Sequence, residues 1–280
     1  MVKTRILHFN LKQISDSGQC FRMSRIASDN EEYDKYLIIS KDKELIIEDA
    51  GDNEFIFSCD ETEFKEFWEE YFDLKTDYDA VDKMIDPGDE FLIRCADFGK
   101  GLRIIRQDPF EMLITFIISQ RKNIPAIKAC VEALCVACNK PLAAMNDKQG
   151  IRFAFPKAED IMSLSDDELK ACSLGYRVPY VKEAARMVTK GEIDLEALKS
   201  ASDDDLLSEL LRIHGVGIKV ASCVMLFGYH RLEAFPVDVW IQRVLERHYP
   251  KGFPYESYKG YSGILQQYLF YYIRETSRKK

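Results

Sequence analysis

Apolar positions follow a period of two near the start of the chain and a helical period after it. Tyr36-Leu37-Ile38-Ile39, Glu44-Leu45-Ile46-Ile47 and Glu54-Phe55-Ile56-Phe57 are short β-rich runs. Turn-prone Lys41-Asp42-Lys43 and Asp49-Ala50-Gly51-Asp52-Asn53 separate them, so the spacing predicts an antiparallel meander. From Asp60 the period changes. Phe64, Phe67, Trp68 and Tyr71 fall on one helical face, with Asp60 or Thr62 as cap. From about residue 88 the pattern is almost wholly helical. Pro109 marks a helix start, Ser165-Asp166-Asp167-Glu168 reads as a capping box, and Ser202 opens a helix predicted to end at Gly215. Pro236 and Asp238 start another, and Tyr261 to Ile273 form the last, before a frayed tail over Ser277-Arg278-Lys279-Lys280. The fold class expected is α+β: an N-terminal antiparallel sheet unit over 1–88, then a helical region over 89–280.

Charge divides the chain further. The net charge is -8, which by itself speaks against a nucleic-acid partner. Its distribution changes that picture: residues 1–90 carry 11 Lys/Arg against 24 Asp/Glu, and residues 206–280 carry 11 against 6. A DNA-facing surface therefore belongs to the C-terminal half, with the acidic sheet turned away from phosphate. The longest apolar run, Met112 to Ile118, is too short for a membrane span, and the opening residues lack an apolar leader, so a cytoplasmic location is expected (nucleoid-associated in a prokaryote). The eight cysteines are expected as free thiols; Cys135-Val136-Ala137-Cys138 has no second pair at zinc spacing and reads foremost as a helix face. Neither a metal nor a cofactor is called for.

The chemistry concentrates between Leu206 and Tyr249. An apolar helix face ends at His214-Gly215-Val216-Gly217 and a second helix begins at once. Two glycines one residue apart predict a hairpin too tight for a Cβ at either site. The unpaired first-turn amides after it form an anion site suited to a phosphodiester, although a plain tight helix connection gives the same pattern. Lys219 sits in that first turn, where the helix dipole disfavours a cation. A solvated surface lysine is one reading; an amine nucleophile is the other. Asp238 caps the next helix or faces Lys219 as a carboxylate that steadies a developing cationic sugar.

This stretch resembles the helix–hairpin–helix, Gly/Pro-rich loop and Asp signature of the DNA glycosylase superfamily, with the hairpin at about 203–228 and the Asp loop at about 229–240. The whole chain is most similar to the 8-oxoguanine DNA glycosylases. The resemblance implies a bifunctional enzyme that flips the lesion from duplex DNA. Lys219 is then the nucleophile at the sugar C1′ and forms a Schiff base, Asp238 assists, and β-elimination nicks the strand. Asp16-Ser17-Gly18-Gln19-Cys20-Phe21-Arg22 matches the family segment whose glycine carbonyl accepts the N7 hydrogen that guanine lacks, a difference on the order of 1–3 kcal/mol. Phe270 and Cys223 match the two faces that sandwich the base, and Gln266 matches the residue at its edge. Gly215, Val216 and Gly217 would hold the backbone. Tyr176 and Arg177 match a wedge and a contact to the orphaned cytosine. Four positions depart from the family: His214 stands for a turn proline, Trp240 for histidine, Arg121 for the hole-filling asparagine, and Ala126 for a second cytosine-reading arginine. With that one cytosine contact gone at Ala126, the resemblance implies weaker preference for cytosine opposite the lesion. The expected partner is double-stranded DNA containing 8-oxoguanine, bound by a monomer. The rival readings are a glycosylase for another damaged purine, opposed by Gly18, Gln266 and Phe270, and a non-catalytic DNA-binding module, opposed by the Lys219/Asp238 pair.

Overall fold

The computed structural model describes residues 1–28, 33–142 and 151–277. The predicted meander is present and wider than the sequence pattern indicates. Five antiparallel strands, β1 (Val2–Arg5), β2 (Met23–Ile26), β3 (Lys35–Ser40), β4 (Lys43–Asp49) and β5 (Glu54–Phe57), lie in the order β1-β5-β4-β3-β2. The three central strands are those with clear apolar runs. β1 and β2 form the edges, where half-exposed, charge-bearing sequences such as Val2-Lys3-Thr4-Arg5 carry little periodic signal. Tyr36 pairs with Ile47, and Ile47 with Phe57, so consecutive strands present buried side chains to one face.

The helical run over 61–71 covers that face. Asp60 caps it, accepting from the Glu63 amide at 2.8 Å. Its middle, Phe64–Trp68, is wound one residue wider as a π-turn. Trp68 and Tyr71 are buried and pack with Phe57, Phe64 and Phe72 in a mesh of edge-on and stacked rings. A second, larger core fills the helical part. Its centre is the buried helix Pro109–Ser119, capped by Asp108 and packed along the helix Ile218–Gly228. Gly228 permits this approach, since a Cβ there would lie 3.1 Å from the Pro109 Cα.

The capping box at Ser165 is present at the start of Asp166–Ala171. The helix opened by Ser202 stops at Leu211, four residues before the glycine expected to end it. The last helix runs Ser262–Ser277 and outlasts its predicted end because Arg274 is also buried; the remainder of the expected frayed tail lies outside the described residues. Cys135 is buried and Cys138 partly so, on the helix Ile124–Cys138, and all eight cysteines are free thiols. Among the described residues no cluster of His, Cys, Asp and Glu could hold a metal ion, and no helix is long and apolar enough to cross a membrane.

Candidate active site

The hairpin joins Asp203–Leu211 to Ile218–Gly228. Its two glycines differ in what they require. Gly215 has φ +90°, and a Cβ there would fall 2.4 Å from the Tyr180 ring. Gly217 has an ordinary φ of -101° and open space around its Cβ position. The expected steric ban on a side chain thus holds at Gly215 and is corrected at Gly217, where what is left free is room for another molecule to approach the backbone. Gly217 caps the second helix without a side-chain acceptor for its first amides. Val216 is buried beneath the turn, and the Gly215 carbonyl accepts from the Gln120 side chain at 3.0 Å.

Lys219, two residues on, is half-buried. Its Nζ stands 5.2 Å from the centre of the Phe116 ring on the helix Pro109–Ser119. Cys223 lies one turn further along and is fully buried. Burial pushes its thiol up, the Lys219 charge and hydrogen bond pull it down, and the Asp238 charge raises it. One buried thiol thus feels both Lys219 and Asp238. Asp238 caps Val239–His248, its Oδ1 accepting from the Trp240 and Ile241 amides at 2.9 Å each. The capping reading of this residue is therefore correct, and the cap fixes the carboxylate where it lines the same cavity as Lys219.

That cavity, about 1160 Å³, is where most of the sequence-predicted residues meet: Gly18, Arg121, Gly217, Lys219, Asp238, Trp240 and Phe270 all line it. Cys223 and Gln266 are buried and do not line it. Gln266 donates to the Pro236 carbonyl at 2.9 Å and accepts from Gln267 at 2.9 Å, so its amide already braces the segment leading to Asp238. Gly263 sets the start of that helix: a Cβ there would lie 2.6 Å from the Ala234 carbonyl oxygen. Tyr176 and Arg177 lie outside the cavity lining, on the turn Gly175–Arg177. Tyr176 is half exposed and packs edge-on to Tyr180, which in turn meets His214 of the hairpin. Arg177 is buried and donates to the carbonyls of Gln120 and Leu174. It buttresses the turn that carries Arg121, whose own φ is +54°.

Gly18 has φ +76°, and a Cβ there would stand 3.2 Å from both Phe270 and Ile124. Its neighbours hold it. Buried Gln19 donates to Ser17 Oγ at 2.9 Å and to the Arg103 carbonyl at 2.8 Å, and accepts from the Ile105 amide at 2.9 Å. Gln107 donates to the Gln19 carbonyl at 2.8 Å. The sequence pattern drew attention to the glycine and missed these positioning groups, because their partners lie some 85 residues away. It also missed Phe116, under Lys219, and Arg274, whose guanidinium carbon lies 5.7 Å from the Phe270 ring centre.

Residues 1–113 match the 8-oxoguanine DNA glycosylase N-terminal domain, and residues 114–252 match the HhH-GPD superfamily of base excision DNA repair proteins. The 8-oxoguanine glycosylase/lyase of Clostridium acetobutylicum, solved with double-stranded DNA carrying cytosine opposite the lesion, superposes with a TM-score of 0.88 at 37% identity, covering 97% of this chain and 93% of that one. A probable N-glycosylase/DNA lyase of Methanothermobacter thermautotrophicus is 30% identical over 73% of each chain. The N-glycosylase/DNA lyase of Saccharomyces cerevisiae is 33% identical over 54% of this chain and 42% of its own. The chain belongs to the 8-oxoguanine DNA glycosylase family within the HhH-GPD superfamily.

Proposed function

We propose that the protein excises 8-oxoguanine from duplex DNA and nicks the strand at the emptied site. The observation that carries this reading is the meeting of Lys219, Asp238, Gly18 and Phe270 on one cavity large enough for an extruded nucleotide. The lesion stacks on Phe270, and the Gly18 carbonyl accepts its N7 hydrogen. Guanine would present a lone pair there instead.

The Lys219 amine forms a bond to C1′ as the C1′–N9 bond breaks. The electron pair leaves with the base, and the proton lost by the amine returns to it. Asp238, fixed by the two amides it caps, offsets the positive charge that gathers on the sugar. Opening of the sugar ring gives the lysine imine. Loss of a C2′ proton then expels the 3′ phosphate. Phosphate contacts at the Gly217 end of the second helix hold the register of the duplex, and the open space there admits a phosphodiester to the amides.

Reduction with borohydride tests the reading. The protein incubated with an 8-oxoguanine duplex should trap a covalent adduct. Lys219→Gln should abolish the adduct while leaving duplex binding measurable. Asp238→Asn should slow cleavage far more than it weakens binding. An adduct formed as well by Lys219→Gln as by the parent would remove Lys219 from its role.

A further inference from the structure

One charged side chain in the cavity has no part in the chemistry just described. Arg274 sits one turn after Phe270 on the last helix, is 6% exposed, and lines the cavity. Its guanidinium lies beside both Phe270 and Gly18. The carbon lies 5.7 Å from the Phe270 ring centre, and Nη1 stands 3.6 Å from where a Cβ on Gly18 would be. Nη2 donates to Glu275 at 3.1 Å. A buried guanidinium beside the stacking ring and the glycine proposed to meet N7 is placed next to an unusual ligand edge. In 8-oxoguanine the atoms beside N7 are C5 and C8, and C8 carries an oxygen.

Resting on the proposed function, we propose that Arg274 is a catalytic residue that donates to O8 of the flipped base and stabilises it as a leaving group. When the C1′–N9 bond breaks, the departing pair is shared between N9 and O8 through the N9–C8=O8 unit. A fixed cation beside O8 therefore gains attraction as the bond lengthens, which lowers the barrier rather than merely tightening binding. Gly18 and Arg274 then form an acceptor and a donor side by side, matched to N7–H and C8=O8. Normal guanine offers the opposite at the first position and no oxygen at the second.

The test separates the base from the sugar. Strand cleavage at a preformed abasic site uses Lys219 but involves no leaving base. Arg274→Met should lower single-turnover excision of 8-oxoguanine by roughly ten- to a hundredfold while abasic-site cleavage stays within about twofold of the parent. Arg274→Lys, which keeps a cation, should recover part of the excision rate. Equal losses in both reactions would make Arg274 a structural or DNA-binding group, and unchanged excision in Arg274→Met would remove it from the reaction. A parent protein that cleaves abasic sites yet leaves 8-oxoguanine intact would instead overturn the substrate reading itself.

Discussion

The two hairpin glycines look alike in sequence and carry different constraints. Gly215 needs its missing Cβ twice over: its φ is +90°, and the Tyr180 ring occupies the place a methyl would take. Gly217 needs neither, so its absent side chain matters only when something comes close from outside. Gly215→Ala should therefore destabilise the fold by about 2 kcal/mol or more, seen as a drop in the denaturant midpoint. Gly217→Ala should leave that midpoint nearly unchanged and weaken binding to a lesion duplex. Equal midpoints for the two variants would contradict this division. The same contrast marks what single residues disclose. Lys219 and Asp238 stand out by position relative to helix starts, a local property. Gln19 and Arg274 do not, because Gln19 takes its meaning from Arg103 and Ile105, and Arg274 from Gly18, each distant from it in sequence.

At the scale of elements, apolar period and capping chemistry located most of the architecture. The central strands coincide with the apolar runs, and the run after Asp60 and the helices after Asp108, Ser165, Ser202 and Asp238 all begin where side-chain caps are found. The edge strands escaped notice because an edge buries too little to impose alternation, and the Ser202 helix was overextended because Arg212 to His214 remain compatible with a helix until the turn closes. The turn between Ser119 and Asn123 was recognised by resemblance, but its support was not. Arg177 donates to the Gln120 and Leu174 carbonyls, and Arg121 at the tip of the turn it braces is exposed. Ala126, in the first turn of Ile124–Cys138, carries only a methyl group. On the proposed function, with Arg177 bonded to the turn and only a methyl at Ala126, discrimination of the opposite base should be weak. Excision of 8-oxoguanine placed opposite each of the four bases should vary by less than about tenfold, since each lost base contact removes about 1–3 kcal/mol of preference; strict dependence on cytosine would refute this.

Over the whole molecule, the acidic sheet unit and the more basic C-terminal helices divide the labour. The cavity is walled by residues 116–127 and 217–274, and the sheet unit adds only Gly18 and Phe21. Ion pairs with buried arginine or glutamate side chains cross the seam between the two parts, beside the Phe21–Phe116 ring contact. Arg22 pairs with Glu132 at 2.9 Å and donates to the Phe153 carbonyl at 2.6 Å, while Arg152 pairs with Glu44 at 2.7 Å. Glu111, on the central helix, lies in the field of this group. Burial pushes its carboxyl up from the ordinary 4.5 to about 8, against the pull of Arg22. A carboxyl that holds its proton more tightly when folded than when unfolded favours the fold most at low pH. That advantage is lost as pH rises from the unfolded value toward the folded one. Between about pH 5 and pH 8 the protein should therefore lose stability at up to about 1.4 kcal/mol per pH unit from this group alone. Glu111→Gln keeps the shape and removes the proton, so the difference between the two denaturation curves isolates the effect from every other titrating group. The variant should overtake the parent toward pH 8 and should flatten the pH profile. Parallel profiles would mean that Glu111 is ionised in the folded protein, with Arg22 outweighing the cost of burial.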